Sequence, residues 1–239
     1  MDVGGADYVT QSMPWEITTT QINLTWNYNE TEVHNLNNDL TLSVEVSGYQ
    51  IEKKVYAVID NYIEIPAINF TATSAQPYTF NPKNYGLNHG AHKLELRATA
   101  VVNEKEIPIP SIIKNIMLED PTSNVPIISC GFFDETVVQY NTVKIPIIFY
   151  QKSNTAGNLT AELKENGETV DNWTDIVNKI VYEWNYTPVE TTTRNLTISC
   201  GGIEKTLILE VEALDIDNEE VGGYTFRFKA SDFASNTAV

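Results

Sequence analysis

Short runs in which apolar and polar residues alternate one for one recur along most of the chain. Ile22, Leu24, Trp26 and Tyr28 alternate with Asn23, Thr25 and Asn27, and Leu40, Leu42, Val44 and Val46 alternate with Thr41, Ser43 and Glu45. His92, Leu94, Leu96 and Ala98 alternate with Lys93, Glu95 and Arg97, and Leu207, Leu209, Val211 and Ala213 with Ile208, Glu210 and Glu212. Successive side chains of a strand point to opposite faces of its sheet, so this period predicts strands with one face on a core and one in water. Turn chemistry separates the runs, at Ser47-Gly48, His89-Gly90, Asn166-Gly167 and Gly201-Gly202. Many short strands with such punctuation predict an all-β sandwich or barrel.

The pattern also repeats. Asn38 to Val44 followed by Gly48 matches Gly157 to Leu163 followed by Gly167, pairing Leu40 with Leu159, Thr41 with Thr160 and Val44 with Leu163. Leu94 to Ala98 matches Leu196 to Cys200 in the same way. A repeat of about 100 residues is the size of one sandwich domain, far longer than a solenoid repeat. The expected organisation is an N-terminal arm (1–14), two antiparallel β-sandwiches in tandem (15–118 and 119–213), and an acidic linker leading into a strand of a further module (214–239). Leu118-Glu119-Asp120-Pro121 is the expected hinge, because proline and charge stop the preceding strand. Pro108, Pro110 and Pro146 fall in apolar runs, which predicts edge strands or bulges open to neighbouring subunits.

Charge narrows the function. Against 32 acidic residues stand 15 basic ones, a formal net charge of −17. Such a field repels nucleic-acid backbones and anionic membranes, so neither is an expected partner. No apolar run approaches the roughly 18 residues of a membrane span. The opening Met1-Asp2-Val3-Gly4-Gly5 has neither a basic nor an apolar leader pattern, so the expectation is a chain made in the cytosol or a piece of a longer one.

Leu87-Asn88-His89-Gly90-Ala91-His92-Lys93-Leu94-Glu95-Leu96-Arg97-Ala98 resembles the penultimate-strand signature of bacterial and phage immunoglobulin-like modules, with its Gly-x-His-x-Leu-x-Leu-x-Ala run. The second copy keeps the apolar spacing and loses the Gly and His. Tyr224-Thr225-Phe226-Arg227-Phe228-Lys229 is similar to the opening strand of laminin-G/concanavalin-like jelly rolls, which follow immunoglobulin-like repeats in tail-associated proteins of large gut bacteriophages. The resemblance implies a rigid spacer, on a virion or on a bacterial surface, that sometimes carries a glycan- or cell-binding face.

Candidate chemistry is sparse. His89 and His92 are three apart, but alternation puts His92 inward and His89 in the turn, so no metal site is expected there. Asp215, Asp217, Glu219 and Glu220 offer hard oxygen ligands for Ca²⁺ at a module junction, yet lack the turn glycine of an EF-hand loop; a solvated acidic linker is the plainer reading. Trp15 and Trp173 lie in polar, loop-like stretches and are the candidate ligand contacts, whereas Tyr182, Trp184 and Tyr186 share a strand face that reads as core. Cys130 and Cys200 fall on the expected first and penultimate strands of the second sandwich and are expected to be reduced and buried. No nucleophile elbow, P-loop, zinc-protease motif or selected carboxylate pair occurs, so neither catalysis nor a cofactor is expected. The expected role is that of a non-enzymatic virion structural protein, tail- or fibre-associated, assembled in the host cytoplasm. It would act as spacer and docking module within an oligomeric assembly of structural subunits. The alternative is a carbohydrate- or cell-surface-binding adhesin module, on a host glycan or as part of a longer bacterial surface chain.

Overall fold

A computed structural model of the chain describes residues 22–102, 104–133, 136–155, 157–214, 220–221 and 224–225. The first sandwich contains β1 (Leu24–Asn27), β2 (Val33–Asn35), β3 (Leu40–Val46), β4 (Lys53–Ile59), β5 (Ile63–Phe70), β6 (Gln76–Phe80), β7 (Gly90–Val102) and β8 (Lys105–Glu119). The second contains β9 (Ile127–Cys130), β10 (Thr136–Val138), β11 (Val143–Tyr150), β12 (Leu159–Glu165), β13 (Glu168–Ile176), β14 (Val181–Tyr186), β15 (Arg194–Cys200) and β16 (Ile203–Glu212). Each unit pairs a three-stranded sheet with a five-stranded one: β1-β3-β6 with β2-β8-β7-β4-β5, and β14-β11-β9 with β10-β16-β15-β12-β13. The short second strand of each unit runs parallel to its last strand, Val33 opposite Met117 and Thr136 opposite Glu210.

The inward positions of the alternating runs meet between the sheets. Leu24, Trp26, Leu42, Val44 and Tyr78 of one sheet pack on Val55, Ala57, Leu94, Leu96 and Ile116 of the other. In the second unit Ile128, Ile147, Phe149 and Tyr186 pack on Leu163, Leu196, Ile198 and Leu209. Each such aliphatic side chain removed from water contributes about 1.5–3 kcal/mol, before chain entropy is set against it.

The topology corrects the first repeat alignment. Leu40 belongs to β3 and Leu159 to β12, which are not counterparts: β3 corresponds to β11, and β12 to β4. Alternation and a following glycine turn mark any antiparallel strand, so the match carried no information on strand order. Leu94–Ala98 and Leu196–Cys200 do lie on equivalent strands, β7 and β15.

Pro108 and Pro110 lie on the part of β8 that has only β7 beside it, next to a register shift opposite Leu96 and Ala98. Pro146, by contrast, sits in the middle strand of its sheet. Its carbonyl accepts from Gly131 N–H at 2.9 Å, and without an N–H it cannot return that bond. Proline therefore marks where β9 leaves β11 and crosses towards β10. Of the expected last strand, Tyr224–Thr225 pairs with Glu220–Val221, so Glu220 ends the linker earlier than expected; Phe226 to Lys229 lie outside the described residues.

Candidate functional site

Alternation breaks at Ile116-Met117-Leu118, Ile127-Ile128 and Ile147-Ile148-Phe149, where both faces of the strand are apolar. The second face of each is buried at the junction of the two sandwiches. Met117, Ile127 and Ile148 are 0%, 1% and 5% exposed and form a separate apolar cluster, flanked by Val33, Ala91 and Tyr150. The outward side of β2-β8-β7 thus docks on the outward side of β9-β11.

Polar groups frame this patch. The Asn115 side-chain amide donates to the Cys130 carbonyl across the junction, while the Asn115 N–H donates to Glu30 Oε1 at 3.1 Å. The Tyr150 hydroxyl donates to Glu119 Oε2 at 2.9 Å, and burial together with that carboxylate pushes its pKa up to about 12. Lys179 Nζ lies 5.5 Å from the Tyr150 ring centroid.

The segment between β8 and β9 is tied down along its length. Thr122 N–H and its hydroxyl both donate to Asp120 Oδ1, at 2.9 and 2.7 Å, which holds that carboxyl below its usual range. Lys152 Nζ donates to Pro121 O at 2.7 Å, and Gln151 Nε2 to Asn124 O at 2.9 Å. His89 receives Asp120 N–H on Nδ1 at 3.1 Å and donates from Nε2 to Val125 O at 2.9 Å. The expected hinge at Leu118–Pro121 is therefore a bonded corner.

His92 is buried in β7, as its alternation predicts. Its Nδ1 lies 2.7 Å from Asp60 Oδ2 and its Nε2 lies 3.0 Å from Asn88 O. Two acceptors require two N–H donors, so the geometry suits the imidazolium. Burial opposes that charge, but the Asp60 hydrogen bond outweighs it with help from the Asn88 carbonyl, and the His92 pKa is raised. Burial likewise disfavours the Asp60 anion, but the bonds from His92 and Lys93 N–H prevail and its pKa is lowered. The two histidines spend their ring nitrogens on different partners and do not converge on a metal position.

Two hollows open beside the junction. One, of about 550 Å³, is lined in part by Lys93, Asn115, Phe132, Phe133 and Lys205, with Lys93 Nζ 5.8 Å from the Phe133 ring centroid. The other, of about 310 Å³, is lined in part by Tyr28, Glu30, Pro146, Ile148 and Val181.

Of the candidate contacts, Trp173 is not in a loop. It lies on β13 opposite Ala161, half-buried, with its ring packed on the core 5.9 Å from Phe149. Its neighbours in sequence are polar because they face the other side of the strand. Trp184 packs on the same core and stacks on Tyr186 at 5.0 Å. Trp15, Asp215, Asp217 and Glu219 lie outside the described residues, as does the Glu220 side chain. Cys130 and Cys200 are free and buried; burial raises both thiol pKa values, that of Cys200 to about 11.

No protein-family model matches the chain, and no curated protein does. Among solved structures it is similar to the fibronectin(III)-like modules of Clostridium thermocellum CbhA, at 15% identity and a TM-score of 0.31, over 83% of this chain and 100% of that one. A chimeric titin Z1Z2–Z1Z2 tandem is similar at 10% identity and a TM-score of 0.29, over 80% of this chain and 100% of that one. A putative membrane anchored protein from Corynebacterium diphtheriae is similar at 12% identity and a TM-score of 0.33, over 84% of this chain and 55% of that one. With its two sheet pairs and separate cores, the chain is a tandem of two immunoglobulin-like β-sandwich modules.

Proposed function

We propose that the chain is a non-enzymatic spacer and docking unit, its two modules fixed at one angle, within a virion assembly (tail- or fibre-associated) or a bacterial surface. The apolar cluster of Met117, Ile127 and Ile148 carries this reading. Flexibly linked modules leave their facing surfaces wet and polar, whereas a buried apolar contact favours one orientation. A fixed orientation transmits force and sets the distance between neighbours, which is what a spacer does. The non-enzymatic part rests on buried thiols and on a His92 ring held on both nitrogens, which leaves it no lone pair with which to act as a base.

The virion or surface setting rests on the sequence resemblance, with neighbouring structural subunits as the partners. Glycan recognition has less support, because Trp26, Trp173 and Trp184 all turn into the cores.

Small-angle X-ray scattering with light scattering on the full chain tests the mechanical reading. One fixed inter-module angle should fit the data, and a continuous spread of angles would overturn it. An antibody against the chain should decorate intact particles or the cell surface; decoration of neither would remove the assembly role.

A further inference from the structure

The module contact joins unlike faces: the outward side of β2-β8-β7 on the first module and the outward side of β9-β11 on the second. A contact of unlike faces can be repeated from copy to copy, since every chain still owns a second example of each face, and such head-to-tail contacts build filaments. We propose that this contact is confined to the pair within one chain, and that Glu45 and Glu210 keep copies of the chain from repeating it.

The register identifies the matching positions. In the first module Val33 lies opposite Met117; in the second, Thr136 lies opposite Glu210. Thr136 and Glu210 are exposed, where Met117 is sealed. On the receiving side of the second module, Ile127 lies opposite Tyr150 and Ser129 opposite Ile148. The corresponding first-module pairs are Asn23 with Ser47, joined by Ser47 N–H to Asn23 O at 2.9 Å, and Thr25 with Glu45. A repeated contact would therefore put Glu210 of one copy where Met117 sits and Glu45 of the next where Ile148 sits. Two carboxylates would be stripped of water against each other, with no cation brought in by the facing positions. The apolar patch inside the chain and the two glutamates, Glu210 exposed and Glu45 half-buried, occupy the same places in the fold.

An exposed face is polar on most proteins, so the test must show that these two positions matter. Glu45→Ile with Glu210→Met in the full chain, followed by sedimentation over a concentration series, should give open-ended association that the parent lacks. Glu64→Ile with Glu168→Met, which removes two exposed glutamates on the edge strands β5 and β13, should leave the parent's mass unchanged. Glu45→Lys alone, which faces a cation to Glu210, should give association that the parent lacks, and added salt should abolish it. A folded Glu45→Ile/Glu210→Met variant of parental mass overturns the proposal, as does equal association of the control pair. The inference rests on the rigid docking proposed above. That reading fails on parent scattering alone, whereas this one fails on the variants, so the two failures are distinguishable.

Discussion

The side-chain amide of Asn115 donates to the backbone carbonyl of Cys130, joining the last strand of the first module to the first strand of the second. Asn115 is 6% exposed, so its amide and the Cys130 carbonyl have little water to fall back on. Asn115→Ala should lower stability by roughly 1–3 kcal/mol, the cost of an orphaned buried acceptor, as read by urea titration. The loss should come with a broader range of inter-module angles in scattering, and a loss without it would assign Asn115 to one module's stability alone.

The buried cluster at the junction is a second place to test the docking. Met117→Ala removes a side chain with no exposed surface and should cost roughly 2–5 kcal/mol. Calorimetry should then resolve two transitions if the modules melt separately once their contact is weakened, where the parent melts as one.

The Asp60–His92 pair gives the fold a pH signature. The raised pKa of His92 contributes stability fully present below the unfolded histidine value of about 6.5 and lost as pH rises through the folded value. The lowered pKa of Asp60 contributes stability present above the unfolded carboxyl value of about 3.9 and lost as pH falls through the folded one. The melting temperature should therefore decline as pH rises from about 6.5 through the folded histidine value. In Asp60→Asn that decline should shrink, because the neutral amide no longer favours the imidazolium; an unchanged profile would place the titration elsewhere.

Tyr78 fills a gap in the first module. Its hydroxyl accepts from Ala57 N–H at 3.1 Å and donates towards Ile65 O and Pro66 O at 3.1 and 3.0 Å, beside the shift in the β4–β5 ladder. Pro66 has no N–H to offer that ladder. Tyr78→Phe should cost roughly 1–3 kcal/mol in urea unfolding, although no apolar contact is lost.

The two thiols should resist a disulfide-exchange reagent in the native chain and react fully in denaturant. Both are buried with raised pKa values, and the thiolate is the reactive form. Rapid native labelling would indicate local opening near Cys130 or Cys200.

The strands and their inward faces were legible because alternation is a local property. Leu40, Leu42 and Val44 point inward together in whatever sheet receives them. The doubled apolar runs at Met117, Ile127 and Ile148 were equally visible, and they were the sign of a second buried face. What that face met was hidden, because its partner lies on another module. The polar neighbours of Trp173 suggested a loop, but an edge strand with one wet side has the same composition.

By itself the sequence determined the all-β class, the inward residues of most strands and the acidic surface, all of which follow from the period and composition of short segments. Only the tertiary structure decided which strands are counterparts, why Pro146 can occupy a middle strand, and that the modules are docked. Those outcomes depend on pairing between distant segments, where one strand pattern is compatible with many partners and only the complementarity of whole faces selects among them.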